Sequence, residues 1–192
     1  MASVSGVSAE MKVIRTVSGN SPTVNRIIEN AAQTFLRGTI VQIDASTGSV
    51  EEWDGTTYDR GIAGVAAEFS ANLTTAGVAI QPGSIANIVP YQASAVFIPR
   101  GAPPNDGKIG VQVANLDNVF YGQTDDTVAQ ADVGDEYGLT KDTDGHWYVD
   151  QTKSTAGTNT AVKIVGLDPN DQGTPRRGVF FQFVPGVLQL QA

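Results

Sequence analysis

His146 is the only histidine in this 192-residue chain and there is no cysteine, so few kinds of chemistry are open to it. A Ser-His-Asp relay needs an imidazole held between its two partners. His146 stands between the turn residue Gly145 and Trp147, a place that suits an exposed residue at a strand start better than a catalytic base. Sites built from several histidines or thiolates are excluded, and so are disulfides. No phosphate-cradling glycine loop and no nucleophile elbow occurs. Carboxylate chemistry remains, because two suitably spaced carboxyl groups suffice to hydrolyse a glycoside. Glu51, Glu52 and Asp54 cluster on one predicted hairpin, and Asp125-Asp126 and Asp135-Glu136 are adjacent pairs. All lie among turn formers, where neighbouring carboxylates mark a solvated surface. Asp142-Thr143-Asp144-Gly145 begins like a calcium loop, but the EF-hand spacing wants glycine at position six and glutamate at twelve, and Gly145 falls at position four. The chain is therefore read as a non-enzyme, with no cofactor and no metal.

The elements that carry these residues are strands. From Phe35 to Ala67 the order is strand, turn, strand, loop, strand. Gly38 opens the β-branched run Thr39-Ile40-Val41-Gln42-Ile43, and Asp44-Ala45-Ser46-Thr47-Gly48 reverses it, since Asp and Ser bond the turning backbone and Gly accepts positive φ. Val50 and Trp53 return, Asp54-Gly55 turns again, and Gly61-Ile62-Ala63-Gly64-Val65-Ala66 reads as an inner strand. A second copy runs from Gly134 through the turn Asp142–Gly145 and Trp147 to Val162–Leu167. Gly38 to Gly48 spans ten residues and Gly134 to Gly145 eleven. The match predicts two related β units with Trp53 and Trp147 partly buried at equivalent places, although any two hairpins share these features and two copies make no solenoid.

Composition agrees with an all-β protein: 21 glycines, 17% charged residues and 41% apolar residues, with Ser, Thr, Val, Asn and Gln prominent. Twelve basic against 20 acidic residues give a net charge of −8, the wrong sign for phosphate binding; Arg176-Arg177 reads as a solvated turn. No apolar run reaches the ~18 residues of a membrane span. Residues 1–15 show neither the apolar region nor the cleavage pattern of a secretory signal, so a soluble product made in a cytoplasm is expected.

Taken in order, residues 1–30 form an arm or short helix, 31–130 a first β unit and 131–192 a second. Val4, Val7, Met11, Val13, Ile14 and Val17 alternate with small residues, too apolar for a solvated tail and too sparse for a core of their own, so this start reads as an edge strand or as an arm that orders on a partner. Ser21-Pro22 is a helix-start signal, and Val24, Ile27, Ile28, Ala31, Ala32 and Phe35 follow helical spacing. A two-residue alternation also fits part of that stretch, and helix is preferred. Val78–Ile80, Ile85–Tyr91 and Ala95–Ile98 are short strand candidates before the breaker Pro99–Gly107. Ile109, Val111 and Val113 alternate as a half-buried strand, and Val119–Tyr121 is a further apolar run. Residues 122–133 are polar and acidic, the best internal boundary. Val179–Val184 is apolar on both faces and reads as a central strand. Val187–Leu190 closes the chain as an edge or partner strand, with Leu188 and Leu190 as contact residues.

Several phrases together, AAQTFLRGTIVQID, WDGTTYDRGIAGVAAE, GAPPNDGKIGVQVA, VGDEYGLTKDTDGHWYVD and VKIVGLDPND, resemble tailed-bacteriophage virion proteins encoded near major capsid genes. The Gly-led strands also resemble lambda-type head decoration proteins. The phrases cover roughly residues 31–184 and are strand-and-turn patterns rather than a chemical motif. The resemblance implies a capsid decoration, or cement, protein: a short-stranded antiparallel sandwich or barrel-like body on the outer surface of a virion, bridging capsomers. Its partners would be the major capsid protein and sister subunits in a dimer or trimer, with no nucleic acid and no membrane. In that image an N-terminal arm pairs with capsid strands by β-augmentation, here Ala2–Ser18. Two other classes stand beside it. One is a tail or fibre glycan-binding adhesin using Trp53, Trp147, Tyr148 and exposed acids; the other is a carboxylate hydrolase acting through Glu51.

Overall fold

A computed structural model describes residues 10–30, 33–70, 74–75, 78–79, 108–154, 159–170 and 176–190. It is mainly β, with 44% strand and 5% helix, and no helix of seven residues or more. The strands in chain order are β1 (Lys12–Thr16), β2 (Val24–Ile28), β3 (Ile40–Ile43), β4 (Val50–Glu52), β5 (Gly64–Ala66), β6 (Thr74–Thr75), β7 (Val78–Ala79), β8 (Lys108–Val113), β9 (Asn118–Gln123), β10 (Glu136–Lys141), β11 (Trp147–Asp150), β12 (Val162–Leu167) and β13 (Gly178–Phe183). Short 3-10 turns occupy Gln130–Asp132 and Pro185–Val187.

Two antiparallel sheets carry the body, in the orders β2-β8-β5-β3-β4 and β1-β9-β13-β12-β10-β11. Each curls until a parallel bridge joins its first and third strands. In the first sheet Glu29 bridges Val50, and the Asn30 N–H donates to the Val50 carbonyl at 2.7 Å. In the second Thr124 bridges Val149, and the Asp125 N–H donates to the Val149 carbonyl at 3.0 Å. Setting β1 and the small β6–β7 ladder aside, both units place their five strands in the same spatial order: first, fifth, fourth, second, third. The two β units share one topology, ring-closed in both cases, which limits exposed strand edge.

The turns follow from their side chains. Asp44 accepts from the Ser46 N–H and hydroxyl, both at 2.8 Å, and from the Thr47 hydroxyl at 3.0 Å. Asp142 accepts from the Asp144 and His146 N–H groups at 3.0 and 2.9 Å. Gly48 and Gly145 take positive φ, 68° and 92°, where a side chain would be strained.

Val41, Val50, Ala66, Ile109 and Val111 fill the first ring with Phe35. The larger core holds Phe120, Phe181 and Phe183, whose rings lie 5.0–5.8 Å apart, and it runs on to Ile40, Ile62 and Val65 of the first unit. One continuous core therefore joins the units. The last residues return to the first unit: the Ile62 N–H donates to Val187 at 2.8 Å, and the Gln189 N–H to Ile62 at 2.9 Å. The Gln189 side chain binds both the N–H and the carbonyl of Ile43, at 2.6 and 2.7 Å.

Several sequence readings give way. Residues 24–28 are a strand, not part of a helix: β-branched Val24, Ile27 and Ile28 pair with β8 over five consecutive positions, and Val24 and Ile28 are exposed, which breaks the presumed helical face. Of the two readings of the chain start, residues 12–16 take the edge strand, because β1 pairs with β9 at the margin of its sheet. The crossing between units lies at 114–117 rather than within 122–133, since β9 is the first strand of the second unit; the acidic stretch instead caps that ring through buried Val128. β2 lies in the first sheet and β9 in the second. Val187–Leu190 is a 3-10 turn and a bridge to Ile62, not an edge strand. Ile85–Tyr91, Ala95–Ile98 and Pro99–Gly107 lie outside the described residues.

Candidate functional site

The residues with chemical potential are spread over turns rather than gathered. Asp54 accepts from the Thr56 and Thr57 N–H groups and the Thr57 hydroxyl, at 2.7, 2.8 and 2.6 Å. Burial raises its pKa, and these bonds more than offset that, leaving the carboxyl below its usual range. Such a group is stabilised as an anion and is poorly suited to act as a general acid. Asp142 behaves alike: burial pushes it up, and donors from His146, Tyr148 and Asp144 bring it below the usual range. Among the described residues no group of three or more His, Asp or Glu is placed to hold a metal ion, and no helix is long and apolar enough to cross a membrane.

A cleft of about 500 Å³ lies at the seam between the units and is lined by Glu52, Trp53, Asp54, Leu139, Lys141, Trp147 and Lys153 among others. Lys141 meets Glu52 at 2.6 Å, and the Trp147 indole N–H donates to the same carboxylate at 3.2 Å. Lys153 donates to the Leu139 carbonyl at 2.5 Å and stands 3.4 Å from Asp150. The two indoles pack on each other with centroids 5.2 Å apart. The Trp53 N–H donates to the Thr57 carbonyl at 2.9 Å, and Tyr58 meets Trp53 edge-on at 5.2 Å. These side chains hold one unit against the other.

That arrangement corrects two readings. Trp53 and Trp147 are not equivalent: Trp53 follows the end of β4, Trp147 begins β11, and they meet across the seam. Nor do the aromatics form a sugar platform, because Trp53, Trp147 and Tyr148 are 2%, 4% and 2% exposed. Glu51, the hydrolase candidate, accepts from Gln42 at 2.7 Å and Asn30 at 3.1 Å, a cross-strand contact and a tie to the segment after β2.

Arg176 is exposed, as a solvated turn residue would be, but its side chain is engaged. Its guanidinium lies 4.1 Å from the centroid of the Tyr148 ring and donates to the Tyr148 hydroxyl at 2.5 Å, while that hydroxyl donates to Asp142 at 3.0 Å. Burial first, then the bond to Asp142, pushes the Tyr148 phenol up to about 12. His146 stands 3.7 Å from Asp142, half in solvent. The network ties the β10–β11 turn to the segment just before β13.

The residues expected to meet a partner divide. Met11 and Leu188 are core, 1% and 2% exposed, because β1 and the C-terminal return fold into the body, and Val13 packs partly buried against that core. Ile14, Val17 and Leu190 stay exposed at 40%, 70% and 37%. Val4 and Val7 lie outside the described residues. Sequence reasoning missed Lys141, Lys153, Gln112 and Gln189. The partners of Lys141, Gln112 and Gln189 are distant in the chain, and a polar residue gives no local sign of one; Lys153 is held by the nearer Leu139 and Asp150. No family model, curated protein or solved structure matches this chain.

Proposed function

We propose that this chain is a non-enzymatic structural protein that mounts on a larger assembly, the exterior of a phage capsid, and stabilises it by bridging capsomers. The observation that carries the reading is how the carboxylates are used: Asp44, Asp54, Asp142 and Asp150 each accept hydrogen bonds within their own turn. Side chains committed to turn geometry suit a rigid building block. The resemblance of residues 31–184 to virion proteins supplies the capsid, and the net charge of −8 suits a solvent-facing exterior over packaged nucleic acid.

The grip would come from the segment before β1, residues 1–9, adding as a strand to a capsid protein. Deletion to residue 18 would also remove Met11 and β1 from the body, so the informative truncation ends at residue 9. The test is co-sedimentation with heads lacking the decoration protein, alongside melts of both forms. Full-length protein should bind, and the truncated form should melt like it and bind more weakly. Absence of binding by the full-length chain would refute the capsid reading; equal binding would refute the arm's role. An adhesin reading gains nothing from the buried aromatics.

A further inference from the structure

We propose that a strip along β1, made by Lys12, Ile14, Arg15 and Val17 and continued by Leu116, is a second docking contact, fitted to an apolar protein surface edged by carboxylates. It rests on the capsid reading and names the chemistry of the partner face. Ile14, Val17 and Leu116 are 40%, 70% and 49% exposed, and the backbone bond from Val17 to Asp117 sets Leu116 beside the end of β1. Their backbones are pinned. The Val17 N–H donates to the Asp117 carbonyl at 2.8 Å, and the Ser18 N–H and hydroxyl reach the Asp117 carboxylate at 2.7 and 2.6 Å. Gln182 donates to the Leu116 carbonyl at 2.8 Å. The Ser18 hydroxyl, then its N–H, holds the Asp117 carboxyl below the usual range, so this clasp persists at neutral pH. Side chains held on a pinned backbone lose less freedom on association.

Charge selects the partner. Lys12 and Arg15 make no ion pair among the described residues, and the Lys12 ammonium rests 5.9 Å from the Tyr121 ring centroid. Against the one Asp117 carboxylate at the end of the strip, these two cations leave it net positive in a chain of net charge −8, and complementarity calls for carboxylates opposite them. Two cations are too few for a phosphate backbone, which is held through several. The contact is by side chains rather than strand addition. The β1 register breaks between Val13 and Arg15, and the Val13 N–H is taken by the Gln112 side chain at 2.7 Å; a bulge and a capped donor both discourage a further strand.

The test uses full-length protein and undecorated heads in co-sedimentation at low and high salt. One double variant is Val17→Asp with Leu116→Asp, another Lys12→Glu with Arg15→Glu, and Ile28→Asp on β2 is the control. Each double variant should bind at least about tenfold more weakly, as for interface anchors. Wild-type binding should fall with salt, and the charge-reversed form should lose most of that dependence. The control should match wild type. Equal binding by well-folded double variants overturns the strip while leaving the capsid reading intact, and the charge-reversed pair, which touches no core residue, decides even if the other misfolds. Failure of wild type to bind overturns both. Self-association of wild type that the same variants abolish, seen by light scattering, would give the strip to a second copy and overturn the proposal.

Discussion

Leu188→Ala tests whether the two units are one cooperative body. Leu188 is 2% exposed, bridges Ile62 of the first unit and belongs to the core shared by both. Truncating a buried leucine to alanine costs about 2–5 kcal/mol. A domain of this size shifts its melting point by roughly 2–4 °C per kcal/mol, so the loss is about 4–20 °C. The neighbouring polar contact is smaller: Lys141–Glu52 is about a third exposed, and such pairs contribute about 0–1 kcal/mol. The seam is thus held mainly by apolar packing. The assay is calorimetry with two optical probes. Trp53 and Trp147 are the only tryptophans and both sit at the seam, so their fluorescence reports its opening, while far-UV circular dichroism reports all strands. Both probes should give one coincident transition in wild type and in Leu188→Ala, with the variant shifted down. Fluorescence that changes before the strands melt would mean that the units part before they unfold, and would refute the shared-core reasoning.

Three further outcomes are expected. Gly138→Ala should destabilise by about 1–3 kcal/mol through overpacking, measured by urea unfolding, because a Cβ there would lie 2.6 Å from the Lys153 Cβ and also meet the Asn159 carbonyl. Asp125→Asn should raise the melting temperature at pH 7: burial first, then Asp150 and Asp126, pushes that carboxyl up. A raised acid stabilises the fold only below its unfolded pKa and loses that as pH rises through the folded value, so the gain should disappear in acid. Asp142→Asn should do the opposite. Its lowered pKa contributes stability above the unfolded value that is lost as pH falls through the folded one, so wild type and variant should converge in melts taken toward pH 2.

The parts of the fold legible in the sequence are those set by neighbouring residues. The turns at Asp44–Gly48 and Asp142–Gly145 carry their own acceptors and glycines, and β8 and β13 show the alternation and apolar run of half-buried and central strands. Their partners were not legible. Val24 pairs with Gln112 and Lys12 with Tyr121, and no local pattern encodes a ladder whose other half comes about a hundred residues later. The same limit hid the seam. Trp53 and Trp147 look like a repeat when hairpins are read separately, yet they are complementary halves of one contact. Repetition is preserved in strand order, which backbone closure enforces, and not in side chains that face the other unit.

β1 shows why the chain start and its end are not independent. The second ring closes between β9 and β11 only at Thr124 and Val149, so the edge of β9 at 118–121 would stand open. β1 fills it, pairing with Val119, Phe120 and Tyr121, and places Met11 against Gly122, where a Cβ would lie 3.2 Å from the Met11 side chain and 3.0 Å from Phe181. A larger residue at 122 would push that methionine out, and with it the strand. Residues 11–16 therefore complete the sheet, and a pull on this end of β1 would pass through the β1–β9 ladder into the β9–β13 core.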